Sequence, residues 1–416
     1  MTQFKTVTVI GLGYIGLPTA TVLASRGVTV VGVDVNDRVV NTINEGRIHI
    51  IEPELDALVH EVVRNGKLRA TLVPEPADAF MIAVPTPFKG DHEPDLSYIE
   101  QAGKAIGPAL SAGNLVILES TSPVGTTEKL SKWLAEARPD LKFPHEYGEQ
   151  ADVHMAYCPE RVLPGHVLRE LVENDRIVGG LTPKAGELAV QLYRTFVRGE
   201  CLQTDARTAE MAKLTENAFR DVNIAFANEL SLICDRLSID VWELIQLANR
   251  HPRVSILQPG PGVGGHCIAV DPWFIVDSSP DEARLIRTSR EVNDYKPHWV
   301  VEQVLNAVAG RADAVVACLG LAFKANIDDL RESPAVDIAK TLASDERLRV
   351  LAVEPHIESL PASLVGAVEL STFDEALGVA DVIVLLVDHD QFKRVDWSAH
   401  TGKPIIDTRG LVRVGR

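Results

Sequence analysis

Residues 6–18 read Thr-Val-Thr-Val-Ile-Gly-Leu-Gly-Tyr-Ile-Gly-Leu-Pro, and this stretch decides the fold. A β-branched, apolar run ends at the first glycine of a GxGxxG motif made by Gly11, Gly13 and Gly16, and a helical pattern follows. Such glycines permit a tight turn and let backbone N–H groups approach a pyrophosphate at the helix N-terminus. Because the motif follows a strand and opens a helix, it predicts a dinucleotide site.

A carboxylate ends the next strand candidate, in the run Val31-Gly32-Val33-Asp34. The spacing of Asp34 from the glycines suits an acceptor for the adenosine ribose hydroxyls, and its charge would repel a 2′-phosphate. The sequence therefore predicts NAD rather than NADP. A glycine turn without a nucleotide is the alternative, and the strand–turn–helix context together with Asp34 disfavours it.

Strand-like and helix-like runs alternate in the first half of the chain and again from residue 314, which is typical of doubly wound α/β domains. The strand candidates are residues 6–10, 29–34, 79–84, 115–119, 153–157, 314–319, 350–353, 382–387 and 404–406. Helical runs in the first half include residues 19–26 and 98–110. We therefore expect a doubly wound parallel sheet in the first half and a smaller α/β domain from residue 314.

Residues 205–237 contain neither glycine nor proline, so these 33 residues predict one helix of about 50 Å. Apolar side chains on most of its sides predict burial on most faces, as a link between domains and a candidate dimer surface. A loop rich in proline and glycine follows at residues 251–272, and a loop of this length is usually functional. Helical patterns resume from residue 281.

Composition excludes several classes of protein. The chain has 416 residues and a formal net charge of -17, which disfavours an extended nucleic-acid or anionic-membrane surface. No apolar run has the length of a membrane span, and a strand-like run near the start leaves no room for a signal peptide, so we expect a cytoplasmic protein. Five cysteines without a CxxC pair argue against a disulfide framework and a structural zinc site, and we expect no metal.

Cys267 is the one cysteine outside an apolar or helical context. It follows Gly264 and Gly265 in the run Gly-Gly-His-Cys, and Asp271 comes four residues later. The glycines allow close approach of backbone to a ligand and expose the thiol on a turn. A thiol attacks as the thiolate, which nearby cations favour. A buried structural cysteine is the usual alternative, but the proline- and glycine-rich setting favours a functional role.

Charged residues at three places suggest an anionic ligand. Lys213, Asn217 and Arg220 share one face of the predicted long helix, where a polar stripe is unusual on an otherwise apolar helix. Glu160 and Arg161 follow a strand, and in doubly wound folds the carboxyl ends of the strands line the ligand crevice. Two further cations, Lys324 and Arg331, follow the strand candidate at residues 314–319. Solvated surface charges are the alternative in each case.

Six segments together resemble the UDP-glucose/GDP-mannose dehydrogenase family, over nearly the whole chain and in the same order. They are GLGYIGLP at residues 11–18, AVPTP at 83–87, PDLSYIE at 94–100, STSPVGTT at 120–127, EMAKLTEN at 210–217 and GGHC at 264–267. The resemblance implies two Rossmann-like domains joined by a long central helix. It further implies oxidation of a primary alcohol to an acid with two NAD⁺. The expected regions are an NAD-binding domain at residues 1–200, a central helical and dimerisation region at 201–305 and a UDP-sugar-binding domain at 306–416.

The resemblance also implies residue roles. Cys267 would form a thiohemiacetal and then a thioester; Lys213 and Asn217 would stabilise the oxyanion; Glu160, Asp271 and Thr121 are the candidates for activating the hydrolytic water. The residues expected to contact NAD are Gly11, Gly13, Tyr14, Ile15, Gly16, Asp34, Thr86, Thr127 and Arg331. Those expected to contact the UDP-sugar are Arg161, Val162, Lys213, Asn217, Arg220, His251, Arg253, Gly264 and Lys324. Members usually dimerise through the central region, so His251 and Arg253 would come from the partner subunit of a homodimer.

Departures from the UDP-glucose enzymes indicate the sugar. Those enzymes typically have serine before the cysteine and Pro-Glu-Phe-Leu where this chain has Pro-Glu-Arg-Val at residues 159–162. His266 before the cysteine, together with the runs at residues 85–92 and 251–254, resembles the branch acting on N-acetylated hexosamines. Within that branch the similarity is to members that oxidise UDP-N-acetyl-D-mannosamine (UDP-ManNAc) for surface polysaccharides. UDP-N-acetylglucosamine or UDP-glucose as substrate, a two-electron dehydrogenase without a covalent step, and a non-catalytic binding module remain alternatives.

Overall fold

The structure is a computed structural model that describes residues 4–90, 92–163, 165–265, 267–400 and 402–412. His266, whose identity bears on the expected sugar, lies outside the described residues, as does Asp91 in the run at residues 85–92. The chain forms two compact units, Met1–Thr215 and Glu216–Arg416. Among the described residues, none of the helices combines the length and the apolar character needed to cross a bilayer.

The first unit is built on an eight-stranded sheet with the strand order β10-β9-β8-β7-β4-β1-β2-β3, in which only the β8–β9 pair is antiparallel. A separate hairpin pairs β5 with β6. Since β1 has β2 on one side and β4 on the other, the order reverses at β1, and the carboxyl ends of β1 and β4 border the crevice where such sheets bind ligands. The strands are β1 Thr6–Ile10, β2 Thr29–Val33, β3 Leu68–Thr71, β4 Ala79–Ile82, β5 Phe88–Lys89, β6 Glu93–Pro94, β7 Leu115–Leu118, β8 His154–Tyr157, β9 Arg176–Gly180 and β10 Cys201–Asp205.

Helices cover both faces of this sheet, which is why its central strands are continuous apolar runs rather than alternating ones. Val7 and Val9 of β1 pack in one core with Leu17, whereas Phe80 and Ile82 of β4 pack in a second core. The helices are α1 Gly16–Ser25, α2 Asp37–Asn44, α3 Leu55–Arg64, α4 Ser97–Ile106, α5 Thr126–Ala137, α6 Pro144–Tyr147, α7 Val167–Glu173 and α8 Pro183–Tyr193.

The second unit has a five-stranded, wholly parallel sheet with the order β13-β12-β11-β14-β15. Its strands are β11 Ala314–Leu319, β12 Leu348–Val353, β13 Glu369–Leu370, β14 Val382–Leu385 and β15 Ile405–Asp407. The remaining helices are α9 Ala206–Leu237, α10 Val241–Ala248, α11 Asp271–Ser278, α12 Arg284–Ala307, α13 Pro334–Ala343, α14 Phe373–Val379 and α15 Asp390–Lys393. The predicted fold class is confirmed: two Rossmann-like α/β domains are joined by the long helix α9.

The first turn of each sheet has the same backbone design. Gly11 after β1 and Gly320 after β11 have φ values of 88° and 90°. The carboxylate after the following strand accepts a hydrogen bond from the next backbone N–H of the turn, at 3.0 Å for Asp34 and 2.7 Å for Glu354. The two units therefore repeat a structural feature that no sequence repeat reveals.

Two expectations about the centre of the chain were wrong. Helix α9 is not buried on most faces, because Phe219, Phe226, Ile233 and Leu237 are exposed, Phe219 by 70%. Their spacing of seven, seven and four residues places these apolar side chains in one stripe along the helix. The second difference is that the helix after the long loop begins at Asp271 rather than near residue 281, since a proline at the first helical turn favours helix initiation.

Candidate functional site

The three motif positions of the first turn are glycine for different structural reasons. A Cβ on Gly11 would lie 2.4 Å from the carbonyl oxygen of Ala83, and one on Gly16 would lie 1.8 Å from the carbonyl oxygen of Gly11. A Cβ on Gly13, by contrast, would meet nothing within 4 Å. Gly11 and Gly16 are therefore required for packing of the turn, and Gly13 leaves open space at the N-terminus of α1, where a pyrophosphate fits.

Asp34 is held in a fixed orientation at the carboxyl end of β2. One carboxylate oxygen accepts from the N–H of Leu12 at 3.0 Å, and the other accepts from the N–H of Asn36 at 3.0 Å. Each oxygen has a second lone pair available for a ribose hydroxyl. Just before α1, Tyr14 is exposed and Ile15 is half-buried; both are predicted to contact NAD. The structure brings the predicted glycines and Asp34 together, and this cradle fits a dinucleotide.

Three predicted threonines follow the neighbouring strands β4 and β7. The hydroxyl of Thr86 donates to the carbonyl of Thr121, which joins the two loops. Thr127 is buried, and it donates two hydrogen bonds to one oxygen of Glu210, from its N–H at 2.8 Å and from its hydroxyl at 2.6 Å. The other oxygen of Glu210 accepts from the N–H of Gly125 at 2.6 Å. Burial nevertheless raises the pKa of the Glu210 carboxyl. Glu210 thus caps α5 and fixes Thr127, a role that the sequence did not reveal.

Glu160 lies buried immediately after β8 and is paired with a cation. One oxygen lies 2.8 Å from the guanidinium of Arg176, and the other accepts the N–H of Arg161 at 2.6 Å. The Arg161 side chain reaches the carbonyl of Asp175 at 3.2 Å. Because the ion pair and the backbone hydrogen bond engage both oxygens, the orientation of the Glu160 carboxylate is fixed.

The segment after Glu160 is clamped by a residue far away in sequence. Both oxygens of the buried Glu52 accept backbone N–H groups, from Gly165 and from Val167, each at 2.8 Å. Val162 packs against the core of the first unit. Sequence reasoning missed Glu52; a carboxylate just before the proline at the start of an apolar helix was the available signal.

Helix α9 carries the predicted polar stripe. Lys213 is buried, Asn217 is half-buried and Arg220 is exposed. The side-chain amide of Asn217 donates to the carboxylate of Asp271, the buried first residue of α11. Two residues predicted to act in the chemistry are therefore in direct contact.

Cys267 is exposed on a turn, in contrast to Cys158, Cys234 and Cys318, which are buried; Cys201 is half-buried. The backbone carbonyl of Cys267 accepts N–H groups from Val270 at 3.1 Å and from Asp271 at 2.9 Å, so the thiol-bearing turn leads directly into α11. The structure therefore joins Cys267, Asp271 and Asn217 in one local arrangement.

The glycines before Cys267 are required by close packing. A Cβ on Gly264 would lie 2.4 Å from the carbonyl oxygen of Glu332, and Gly265 has a φ of 87°. The N–H of Gly265 also donates to the carbonyl of Glu332 at 3.2 Å. The neighbouring Arg331 is exposed and pairs with Asp329 at 2.6 Å. The cysteine turn thus packs on the segment that carries Arg331.

The remaining predicted substrate residues are exposed. Lys324 follows the turn after β11, and His251 and Arg253 lie in the long loop after α10. The N–H of Arg253 contacts the imidazole Nδ1 of His251 at 3.3 Å. That His251 and Arg253 contact the UDP-sugar bound by the other subunit of a dimer stays a prediction.

One group among the described residues has the composition of a metal site. Potential ligand atoms of Glu354, His356 and His389 lie within 4.8 Å of one another. His389 Nε2 lies 3.0 Å from Glu354, however, and His389 Nδ1 accepts the N–H of Asn326 at 3.0 Å. Burial acts to raise the pKa of Glu354, but the hydrogen bonds from His389 and the backbone outweigh it and lower the pKa. These hydrogen bonds engage Glu354 and His389 with each other and with the backbone.

Three profiles of one protein family match successive parts of the chain. The UDP-glucose/GDP-mannose dehydrogenase family, NAD binding domain, matches residues 5–197. The family's central domain matches residues 207–295, and its UDP binding domain matches residues 317–414.

Individual relatives match over almost the full length. An NDP-N-acetyl-D-galactosaminuronic acid dehydrogenase of Ralstonia nicotianae (strain ATCC BAA-1114 / GMI1000) is 66% identical, covering 98% of this chain and 96% of the relative. A UDP-N-acetyl-D-mannosamine dehydrogenase of Escherichia coli (strain K12) is 60% identical, covering 99% and 100%. The solved structure of a UDP-D-ManNAc dehydrogenase from Pyrococcus horikoshii is 40% identical with a TM-score of 0.87, covering 99% and 96%. The chain therefore belongs to the UDP-glucose/GDP-mannose dehydrogenase family, and it is an NAD-dependent oxidoreductase.

Proposed function

We propose that this enzyme oxidises UDP-ManNAc to UDP-N-acetyl-D-mannosaminuronate, a four-electron oxidation at C6. The observation that carries the proposal is the exposed Cys267 on a glycine turn that leads into the contact between Asp271 and Asn217. Oxidation of the aldehyde to the acid proceeds from an adduct that can lose a second hydride, and an accessible thiol forms such an adduct.

In the proposed mechanism, bound NAD⁺ accepts the electrons of both oxidations. Lys213 and Asn217 stabilise the oxyanion of the reacting carbon. The Cys267 sulfur adds to the aldehyde carbon and gives a thiohemiacetal, whose oxidation gives a thioester. Water then cleaves the carbon–sulfur bond, and the thiol is regenerated.

Activation of that water is assigned to three residues. Glu160 and Asp271 are the candidate bases, and Thr121 orders the water. The ion pair of Glu160 with Arg176 at 2.8 Å fixes the orientation of the carboxylate, as the positioning of a water requires. One water and two NAD⁺ are consumed for each sugar, because conversion of CH₂OH to a carboxylate removes four electrons.

The cofactor and substrate contacts are part of the proposal. NAD lies on the glycine turn and Asp34, with further contacts to Thr86, Thr127 and Arg331. The UDP-sugar is bound by Arg161, Val162, Lys213, Asn217, Arg220, Gly264 and Lys324 and by the partner's His251 and Arg253. A chain with a net charge of -17 needs such a local set of cations to bind two phosphates.

Identity of the sugar rests on the relatives and on Arg161, His251 and Arg253. The 60% identical relative named for UDP-N-acetyl-D-mannosamine supports UDP-ManNAc. The 66% identical relative named for N-acetyl-D-galactosaminuronic acid supports a second candidate, UDP-N-acetylgalactosamine. Both share the N-acetyl group and differ in the configuration of the ring hydroxyl and acetamido substituents.

A substrate panel tests the proposal. The measurement is kcat/KM for NADH formation with UDP-ManNAc, UDP-N-acetylgalactosamine, UDP-N-acetylglucosamine and UDP-glucose at saturating NAD⁺. We expect UDP-ManNAc to exceed the others by about fivefold to 150-fold, since one buried polar group left unpaired costs about 1–3 kcal/mol. A higher value for UDP-N-acetylgalactosamine would assign the enzyme to the second candidate, and a higher value for UDP-glucose would contradict the assignment to N-acetylated sugars.

We further propose a homodimer that works in the cytoplasm and supplies surface polysaccharide synthesis. Exposed Phe219, Phe226 and Ile233 on α9 support the dimer, since burying such a stripe requires a partner. The assignment of residues 1–200 to NAD binding, 201–305 to dimerisation and the cysteine loop, and 306–416 to UDP-sugar binding is part of the same proposal.

A further inference from the structure

Three buried side chains, Glu119, Arg176 and Tyr193, form a cluster beside Glu160. Glu119 follows β7, Arg176 begins β9 and Tyr193 ends α8. Glu119 and Arg176 are each 2% exposed, and Tyr193 is fully buried. Because β7 and β8 are paired neighbours, the residues that follow these two strands lie side by side.

The contacts connect these residues to Glu160 through one guanidinium. Arg176 pairs with Glu160 at 2.8 Å, and its guanidinium carbon lies 5.5 Å from the centroid of the Tyr193 ring. The Tyr193 hydroxyl donates to one oxygen of Glu119 at 2.6 Å. The other Glu119 oxygen is buried and has no hydrogen-bond partner among the described residues. Two buried carboxyl groups therefore face one cation, which bonds directly only to Glu160.

We propose that Glu119, Arg176 and Tyr193 are positioning residues for the reaction, in which Arg176 orients the Glu160 carboxylate and the charge on Glu119 controls how strongly Glu160 attracts a proton. The inference rests on the proposed function, in which Glu160 activates the hydrolytic water.

The charge balance supports this arrangement. Two buried carboxylates beside one guanidinium leave an uncompensated negative charge, so the pair retains one proton until the pH is high enough to remove it. Burial and then the charge of Glu160 raise the pKa of Glu119 to about 7, against the opposing effects of Arg176 and Tyr193. Glu160 has the direct ion pair with Arg176, so the shared proton resides on Glu119.

Cys158 and Cys201 also interact electrostatically with Arg176, and Arg194 and Asp175 act on Cys201. Burial raises the pKa of Cys158 to about 12, and burial also raises the pKa of the half-buried Cys201. Both thiols stay neutral around pH 7. Ionisation of Glu119 therefore adds a negative charge next to Glu160 in that range. A second negative charge makes Glu160 a stronger base, so thioester hydrolysis should accelerate as the pH rises through about 7.

Single-turnover kinetics separate this step from the two oxidations. Enzyme in excess over UDP-ManNAc is mixed with NAD⁺, and both NADH formation and quenched acid product are followed from about pH 5.5 to about pH 9, so that the rate of hydrolysis is the rate at which acid forms after the second NADH. For the wild type we expect an inflection near pH 7. Glu119→Gln keeps the side-chain size and the acceptor for Tyr193, and it should remove the inflection, slowing hydrolysis about threefold or more above it and little below it.

A second variant tests the same inference even if Glu119→Gln does not fold. Tyr193→Phe removes a hydrogen bond that lowers the pKa of Glu119, so the inflection should move to higher pH. Asp221→Asn is the matched control, because Asp221 is also a buried carboxylate with a raised pKa paired with an arginine, and the inflection should stay in place.

The outcomes separate the two levels of the proposal. An inflection at the wild-type pH in both Glu119→Gln and Tyr193→Phe would overturn this inference while leaving the proposed reaction intact. Equal slowing by Glu119→Gln at every pH would assign Glu119 a structural role and would overturn the inference as well. A wild type that forms no acid product at all would overturn the proposed function first.

Discussion

At the scale of single residues, position determines what each thiol can do. Cys318 lies inside β11, where burial raises its pKa to about 12 and keeps it protonated. Cys267 is exposed on a turn that glycines allow to pack closely. Its exposure on this turn makes Cys267 the candidate nucleophile of the five cysteines.

Replacing this thiol tests its role. Cys267→Ala should reduce steady-state NADH formation with UDP-ManNAc by at least about 100-fold, because loss of a covalent nucleophile removes the main route to the acid. Cys234→Ala, at a buried position on α9, is the control and should keep near wild-type turnover. Full activity of Cys267→Ala would favour a two-electron dehydrogenase without a covalent step.

The sequence reveals short local motifs better than it reveals contacts between residues that are far apart along the chain. Asp34, Cys267 and the Asn217 stripe could be found because each lies in a short pattern with a chemical reason. The partners of Glu52 could not be found in this way, because the backbone groups that it fixes are 113 and 115 residues away. Arg176 and Glu119 were missed for the same reason: a buried ion pair depends on which strands become neighbours, and this is a property of the folded sheet.

At the scale of elements, the glycines of the turn after β1 have two different roles: Gly16 is needed for packing, whereas Gly13 leaves space for the cofactor. Gly16→Ala places a methyl group 1.8 Å from the Gly11 carbonyl oxygen, and the overpacking should lower the free energy of unfolding by about 1–3 kcal/mol. Gly13→Ala meets nothing within 4 Å and should leave that free energy nearly unchanged, yet it should raise the Kd for NAD⁺ about tenfold or more by filling the pyrophosphate space.

Denaturant unfolding without cofactor and titration of NAD⁺ binding measure these two effects separately. If Gly13→Ala bound NAD⁺ as tightly as the wild type, the proposed position of the pyrophosphate would be wrong.

The sequence predicted the central elements more accurately than the edges of the sheets. Strands β1 and β11 match their predicted limits because their apolar runs end at glycine turns. Strand β10 was missed, since it lies at a sheet edge, is partly exposed and lacks a strong apolar pattern. The burial of α9 was overestimated because an apolar stripe has the same pattern whether its own chain or a second copy covers it.

At the scale of the whole molecule, the exposed stripe on α9 predicts self-association. Phe226→Asp should convert a dimer of the chain to a monomer, because a charge in a desolvated interface lacks a partner. Size-exclusion chromatography with light scattering gives the mass directly. Val379→Asp changes another exposed apolar residue, on α14, and should leave the dimer intact. A wild-type monomer at micromolar concentration would contradict the proposed homodimer.

The most direct test of the proposed chemistry is the number of NADH molecules formed per sugar, with UDP-ManNAc limiting and NAD⁺ in excess. Oxidation of the alcohol through a Cys267 thioester to the acid predicts two NADH per UDP-ManNAc. One NADH per sugar would mean that the reaction stops at a carbonyl product, and the roles proposed for Cys267 and Glu160 would be contradicted.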